Sequence, residues 1–126
     1  MDAVSGKYVE AELTHKVIGA FYETYNALGH GFLESVYENA LALQLDQDGI
    51  RFQRQAELAV RFRGHVVGIF RADFLIGDKL IIELKAVERL MPAHEAQLLN
   101  YLKATGIQLG LLMNFGPTPQ VRRRIF

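Results

Sequence analysis

The stretch 107–115, IQLGLLMNF, is apolar apart from Gln108, Gly110 and Asn114, and it constrains the fold more than any other part of the chain. A strand of that composition needs cover on both faces, which points to a sheet with helices on either side. The segment before it, 92 to about 104, reads as a helix, with Pro92 suited to a first turn and Gly106 as a stop. Before that, 80–86 reads as another strand. Strand, helix and strand in succession imply a right-handed crossover that sets the last strand parallel to a neighbour.

The remaining patterns precede this unit. Leu13, Val17, Ile18, Phe21, Tyr25 and Leu28 recur at helical spacing until Gly29 and Gly31. A second helix carries Val36, Ala40, Leu41 and Leu45 and stops in Asp46-Gln47-Asp48-Gly49. Ala56, Leu58, Val60 and Phe62 then alternate with polar residues, Arg63-Gly64 offers a turn, and 66–76 returns as a strand. The expected order is ααβββαβ: an α/β fold with a four-stranded mixed sheet flanked by helices. The tail PTPQVRRRIF is too short to assign. At 126 residues the chain is expected to form a single domain, 1–126, with a core of about 12–116.

Composition removes several classes of function. Without cysteine there is no disulfide, thiolate-held metal or thiol nucleophile. The N-terminal MDAVSGKYVEAEL lacks an apolar stretch of leader length, and no run approaches the roughly 18 apolar residues of a membrane span. A cytoplasmic protein without membrane contact is expected. Fourteen basic and fourteen acidic residues cancel, so a polyanion would have to be met by a local patch.

Three charges stand in the most strand-like segment, RADFLIGDKLIIELKA: Asp73, Glu83 and Lys85. A two-residue turn at Gly77-Asp78 would set Asp73 opposite Ile82 and send Glu83 to the other face. A three-residue loop or a bulge changes the parity. Asp73 then faces Glu83, with Cβ atoms about 5 Å apart, and Lys85 shares their face. Phe74, Ile76, Leu80, Ile82 and Leu84 fill the opposite face. Two carboxylates that close call for a cation, and Mg²⁺ or Mn²⁺ prefers such oxygen ligands. Lys85 would then sit where a phosphate gains negative charge. From these residues alone, a solvated Glu-Lys ladder is an equally good reading. On the next helix Gln97 and Tyr101, four apart, share a face and could hold a phosphate or position the lysine and a water; a tyrosine at such spacing is also common packing.

Asp73 followed by Glu83-Leu84-Lys85 on the next strand, in this order of elements, resembles the PD-(D/E)XK nuclease superfamily. The Gln97-x-x-x-Tyr101 helix is similar to the motif of its RecB-like branch, and Gly31-Phe32-Leu33-Glu34-Ser35-Val36-Tyr37 resembles the signature of the small GxxExxY proteins grouped with it. The resemblance runs from about His15 to Phe115. One departure is Ala72, where the superfamily loosely keeps proline. The resemblance implies a restriction-endonuclease-like core and a phosphodiesterase site with Asp73 and Glu83 as metal ligands and Lys85, Gln97 and Tyr101 as catalytic residues. It also makes Glu34 a third metal ligand and catalytic carboxylate. As a local feature, Glu34 at the third helical position after a Gly31 cap would serve the helix end instead, and Glu38, one turn on, is the competing ligand.

Tyr37 reads as packing or a supporting hydrogen bond, and the four histidines form no ligand pattern; His94 near a helix start reads as solvated. Arg51, Arg54, Arg61, Arg63 and Arg71 gather around the first strands, and Arg122, Arg123 and Arg124 form a run, the two places where nucleic acid could be met. The expected function is a metal-dependent nuclease, with DNA ahead of RNA as substrate. The alternative is a non-catalytic nucleic-acid-binding or assembly subunit of the same fold. A homodimer is expected from the exposed edges of so small a sheet, and a protein partner for targeting from the absence of a recognition domain.

Overall fold

The computed structural model describes residues 10–126, so most of the N-terminal stretch read above for a leader, residues 1–9, lies outside the described residues. The elements are α1 (Ala11–Leu28), α2 (Glu34–Gln47), β1 (Gln53–Phe62), β2 (His65–Ile76), β3 (Leu80–Lys85), α3 (Pro92–Thr105), β4 (Leu109–Phe115) and β5 (Pro119–Ile125). The five strands form one sheet in sequence order. Only β3 and β4 are parallel, joined through α3; the other neighbours are antiparallel.

The order is the expected one as far as β4, and the sheet has five strands rather than four because the unassigned tail pairs with β4. Pairing explains β5, since its own sequence has no strand-like alternation. Arg122, Arg123 and Arg124 lie opposite Leu112, Leu111 and Gly110, which places successive arginines on opposite faces. The run is therefore half-buried, and Arg124 is ion-paired with Glu95 on α3.

Each face of the sheet has its own core. On one side Phe74, Ile76, Leu80, Ile82 and Leu84 meet α1 and α2 through Val17, Phe21, Leu41 and Leu45. On the other, Ala72, Ile81 and Leu112 meet Leu98 and Leu102 of α3. The approach of α3 is close: a Cβ on Gly110 would stand 2.7 Å from Leu98 Cδ1. All seven residues of β4 are buried, as its composition requires. Asn114 is satisfied there by the Val87 N–H (2.9 Å), the Val87 carbonyl (3.0 Å) and the Gln120 side chain (3.2 Å). This clamp fixes the loop that runs from β3 into α3.

On the α1–α2 side, Tyr37 is fully buried and stacks on Phe115 with ring centroids 4.3 Å apart. Its hydroxyl donates to the Gly29 carbonyl and accepts from the Phe32 N–H at 3.2 Å, so it ties down the corner between α1 and α2. At the far end of the sheet the β1–β2 hairpin turns through Arg63 and Gly64. Both have positive φ, 52° and 80°, as in a type I′ turn. The register shifts between Val60 and Arg61, and Phe62, beside the turn, is exposed rather than on the apolar face its alternation predicted.

Candidate active site

The parity on which the site depends is present. Phe74 pairs with Ile82, Leu75 with Ile81 and Ile76 with Leu80, which leaves the three-residue loop Gly77-Asp78-Lys79. The ladder stops one step short of Asp73 and Glu83, and there the two carboxylates take over the backbone donors. Glu83 Oε2 accepts from the Asp73 N–H at 2.9 Å, and Asp73 Oδ2 accepts from the Leu84 N–H at 2.7 Å. Each acid is thus anchored to the strand that carries the other. The alternation of β2 also switches at this point. Phe70 stacks on Tyr101 and Ala72 packs under α3, whereas Phe74 and Ile76 face α1 and α2, although all four have the same parity.

The environment opposes two negative charges. Burial, then the charge of Asp73, pushes the Glu83 carboxyl up to about 8 from an ordinary 4.5. Burial raises Asp73 as well, against the opposing Leu84 and Gln55 hydrogen bonds. Glu34 is raised by burial and by the charge of Asp73, and Lys85 acts on it in the opposite direction. Lys85 lowers all three carboxyls, yet makes no ion pair within 4.0 Å with another described residue. The cluster lies toward the C-terminal end of β3, where the parallel pair β3–β4 ends, the usual position of a site in such sheets.

The helical residues divide. Glu34 is the first residue of α2, after Leu33 as N-cap, not the third after Gly31, so it closes no capping box, although as an acid in the first turn it complements the helix dipole. Glu38 has both oxygens engaged, Oε2 by Arg54 at 2.9 Å and Oε1 by Gln55 at 2.8 Å. Tyr101 is half-buried, its ring stacked on Phe70 at 3.6 Å and 11°. Burial and then the charges of Glu83 and Asp73 raise its hydroxyl, which places the phenol in the field of the pair. Gln97 is exposed one turn earlier and makes no hydrogen bond to another described residue. His94 caps α3, accepting the Met91 N–H on Nδ1 at 2.9 Å, and is not a free solvated side chain.

Sequence reasoning missed Gln55, whose amide reaches Asp73 Oδ1 at 3.1 Å. A polar residue near the start of an exposed strand carries no signal of this. It also missed Asn114, although an amide among the apolar residues 109–115 was a visible cue.

Among the described residues no group of three His, Cys, Asp or Glu side chains closes into a metal cage. The donor set nevertheless suits a hard cation that keeps much of its water, because Mg²⁺ is commonly held by one or two carboxylates. Asp73 and Glu83 are two such acids whose mutual repulsion a cation would relieve. A cavity of about 530 Å³ lies at the opposite end of β3, away from the carboxylates, lined in part by Leu13, Lys16, Ile76 and Lys79. No described helix is long and apolar enough to cross a membrane.

The sequence model of the PD-(D/E)XK nuclease superfamily matches residues 11–125. No curated protein matches the chain. Among solved structures, the crystal structure of SSO0001 is similar in fold, with a TM-score of 0.56 at 20% identity over 95% of this chain. The match covers 61% of that protein.

Proposed function

This chain belongs to the PD-(D/E)XK nuclease superfamily, and we propose that it is a divalent-metal-dependent nuclease of the GxxExxY group, hydrolysing phosphodiester bonds in DNA ahead of RNA. The observation that carries the reading is the reciprocal bonding of Asp73 and Glu83 where the β2–β3 ladder ends. Neutral amide side chains could accept those two N–H groups without repulsion, whereas a cation-holding site needs the two charges.

Asp73 and Glu83 would hold Mg²⁺ or Mn²⁺, with Glu34, whose oxygens are not engaged as those of Glu38 are, as the third carboxylate. The bound ion would supply charge neutralisation at a phosphate oxygen and a water of lowered pKa. Lys85 projects its ammonium beside the acids and stabilises the negative charge that grows on phosphorus-bound oxygen in the transition state. Tyr101, buttressed by Phe70, and Gln97, one turn before it, orient the phosphate. The hairpin tip Arg61-Phe62-Arg63 supports a nucleic-acid substrate: it is exposed, Arg63 lies 4.8 Å from the Phe62 ring centroid, and neither arginine is in an ion pair with another described residue. Arg54 and Arg71, by contrast, are paired with Glu38 and Glu57. A cytoplasmic homodimer that takes a protein partner for targeting belongs to the same reading. Leu33, Val36 and Leu43, exposed along α2, support an interface.

The test is incubation of the protein with linear, nicked and single-stranded DNA and with RNA, each in Mg²⁺, Mn²⁺ or EDTA, beside the Asp73→Ala variant. Cleavage that needs the cation and vanishes in the variant is expected. Binding without cleavage by either protein would favour the non-catalytic subunit.

A further inference from the structure

Gln55 stands across the hairpin from Asp73, between the pairs Arg54–Phe74 and Ala56–Ala72. Its φ is 48°, in the left-handed region that non-glycine residues seldom adopt and that Asn or Asp tolerates better than Gln. Such strain persists only where the surroundings enforce it, and it clusters at functional sites. Here the turned backbone delivers the side-chain amide to two carboxylates at once, Glu38 Oε1 at 2.8 Å and Asp73 Oδ1 at 3.1 Å. Glu38 is itself held by Arg54, whose guanidinium also bonds Asn39.

We propose that Gln55 is a positioning residue: its amide fixes the plane of the Asp73 carboxylate for cation binding and links it to the Glu38–Arg54 pair on α2. The Leu84 N–H alone anchors one oxygen and leaves the carboxylate free to rotate about that bond; a donor from β1 on the other oxygen removes this freedom. A neutral amide does so without competing with the cation, as an arginine or lysine at the same place would. Outer groups that orient ligands in this way commonly tune metal affinity. The inference rests on the metal-dependent reading above.

Two variants separate positioning from folding. Gln55→Gly relieves the left-handed strain and removes the amide. Gln55→Asn tolerates the backbone but is one methylene too short. Both are expected to melt at or above the wild-type temperature while binding Mn²⁺ about tenfold more weakly in calorimetry without nucleic acid. In the metal-free protein, the Gln55 side-chain amide resonances are expected to move in Asp73→Asn. Wild-type Mn²⁺ affinity in both variants, or melting temperatures that fall together with affinity, would overturn the role of Gln55 and leave the nuclease reading standing. A wild-type protein that binds no Mn²⁺ would overturn both.

Discussion

Replacing Glu83 by glutamine tests the electrostatics of the site without reference to any substrate. The amide keeps the shape and an oxygen for the Asp73 N–H, and it deletes the charge. In the unfolded chain Glu83 titrates near 4.5, whereas in the fold burial and Asp73 hold it at about 8. The folded state therefore binds the extra proton between those values, so its stability is full below pH 4.5, falls as pH rises and is lowest above 8. The interval corresponds to about 5 kcal/mol as a ceiling. Asp73 shares the repulsion, so a part of this, about 2–4 kcal/mol, is expected from Glu83 alone. Urea denaturation in EDTA from pH 4 to pH 9 reads it directly: Glu83→Gln should match wild type at pH 4 and exceed it at pH 9. Added Mg²⁺ should raise wild-type stability at pH 9 and leave the variant nearly unchanged. A difference that does not vary with pH, or a variant weaker than wild type at pH 9, would refute the argument that burial and Asp73 together oppose the Glu83 charge.

Lys85→Ala should retain Mn²⁺ binding but cleave about 10²- to 10³-fold more slowly, measured as single-turnover rates at saturating metal. Gly110→Ala places a methyl 2.7 Å from Leu98 Cδ1 and should cost about 1–3 kcal/mol in urea denaturation, through the displacement of α3. Asn114→Ala removes the acceptor of the half-buried Val87 N–H and should cost about 1–3 kcal/mol, with faster amide exchange across the loop 86–91. Tyr37→Phe removes the bonds to Gly29 and Phe32 while keeping the stack on Phe115. It should cost about 1 kcal/mol of stability and free the corner before Glu34, seen as faster amide exchange at Phe32.

Much of this fold was legible because periodicity and parity are local. The pattern around Gly77 required an odd loop if the acids were to meet, and the three-residue loop satisfies it. The double-sided burial of β4 followed from its composition. What escaped depends on neighbours distant in sequence. β5 is a strand because β4 offers it an unpaired edge, and its arginines find room by alternating faces, one of them meeting Glu95. Glu34 was placed two positions too deep because 31–33 stay outside the helix, with Leu33 as the N-cap.

The remaining failure concerns the site itself, and it has a physical cause. A regular β2 would keep Phe70, Ala72, Phe74 and Ile76 on one face, and periodicity predicts only that. The side chains instead change sides at Asp73, opposite a glutamine whose backbone is left-handed. A local break of this kind ends the ladder, and a broken ladder exposes backbone N–H groups that need acceptors. The carboxylates of Asp73 and Glu83 meet that need with one oxygen each, and the bonds hold both acids in place despite their repulsion. The irregularity and the charge cluster therefore require each other: without the break the acids would have no donors to anchor them, and without the acids the break would leave two N–H groups unpaired. Pattern reasoning sees the charges and not the break, which is why it could name Asp73 and Glu83 as candidates but not Gln55.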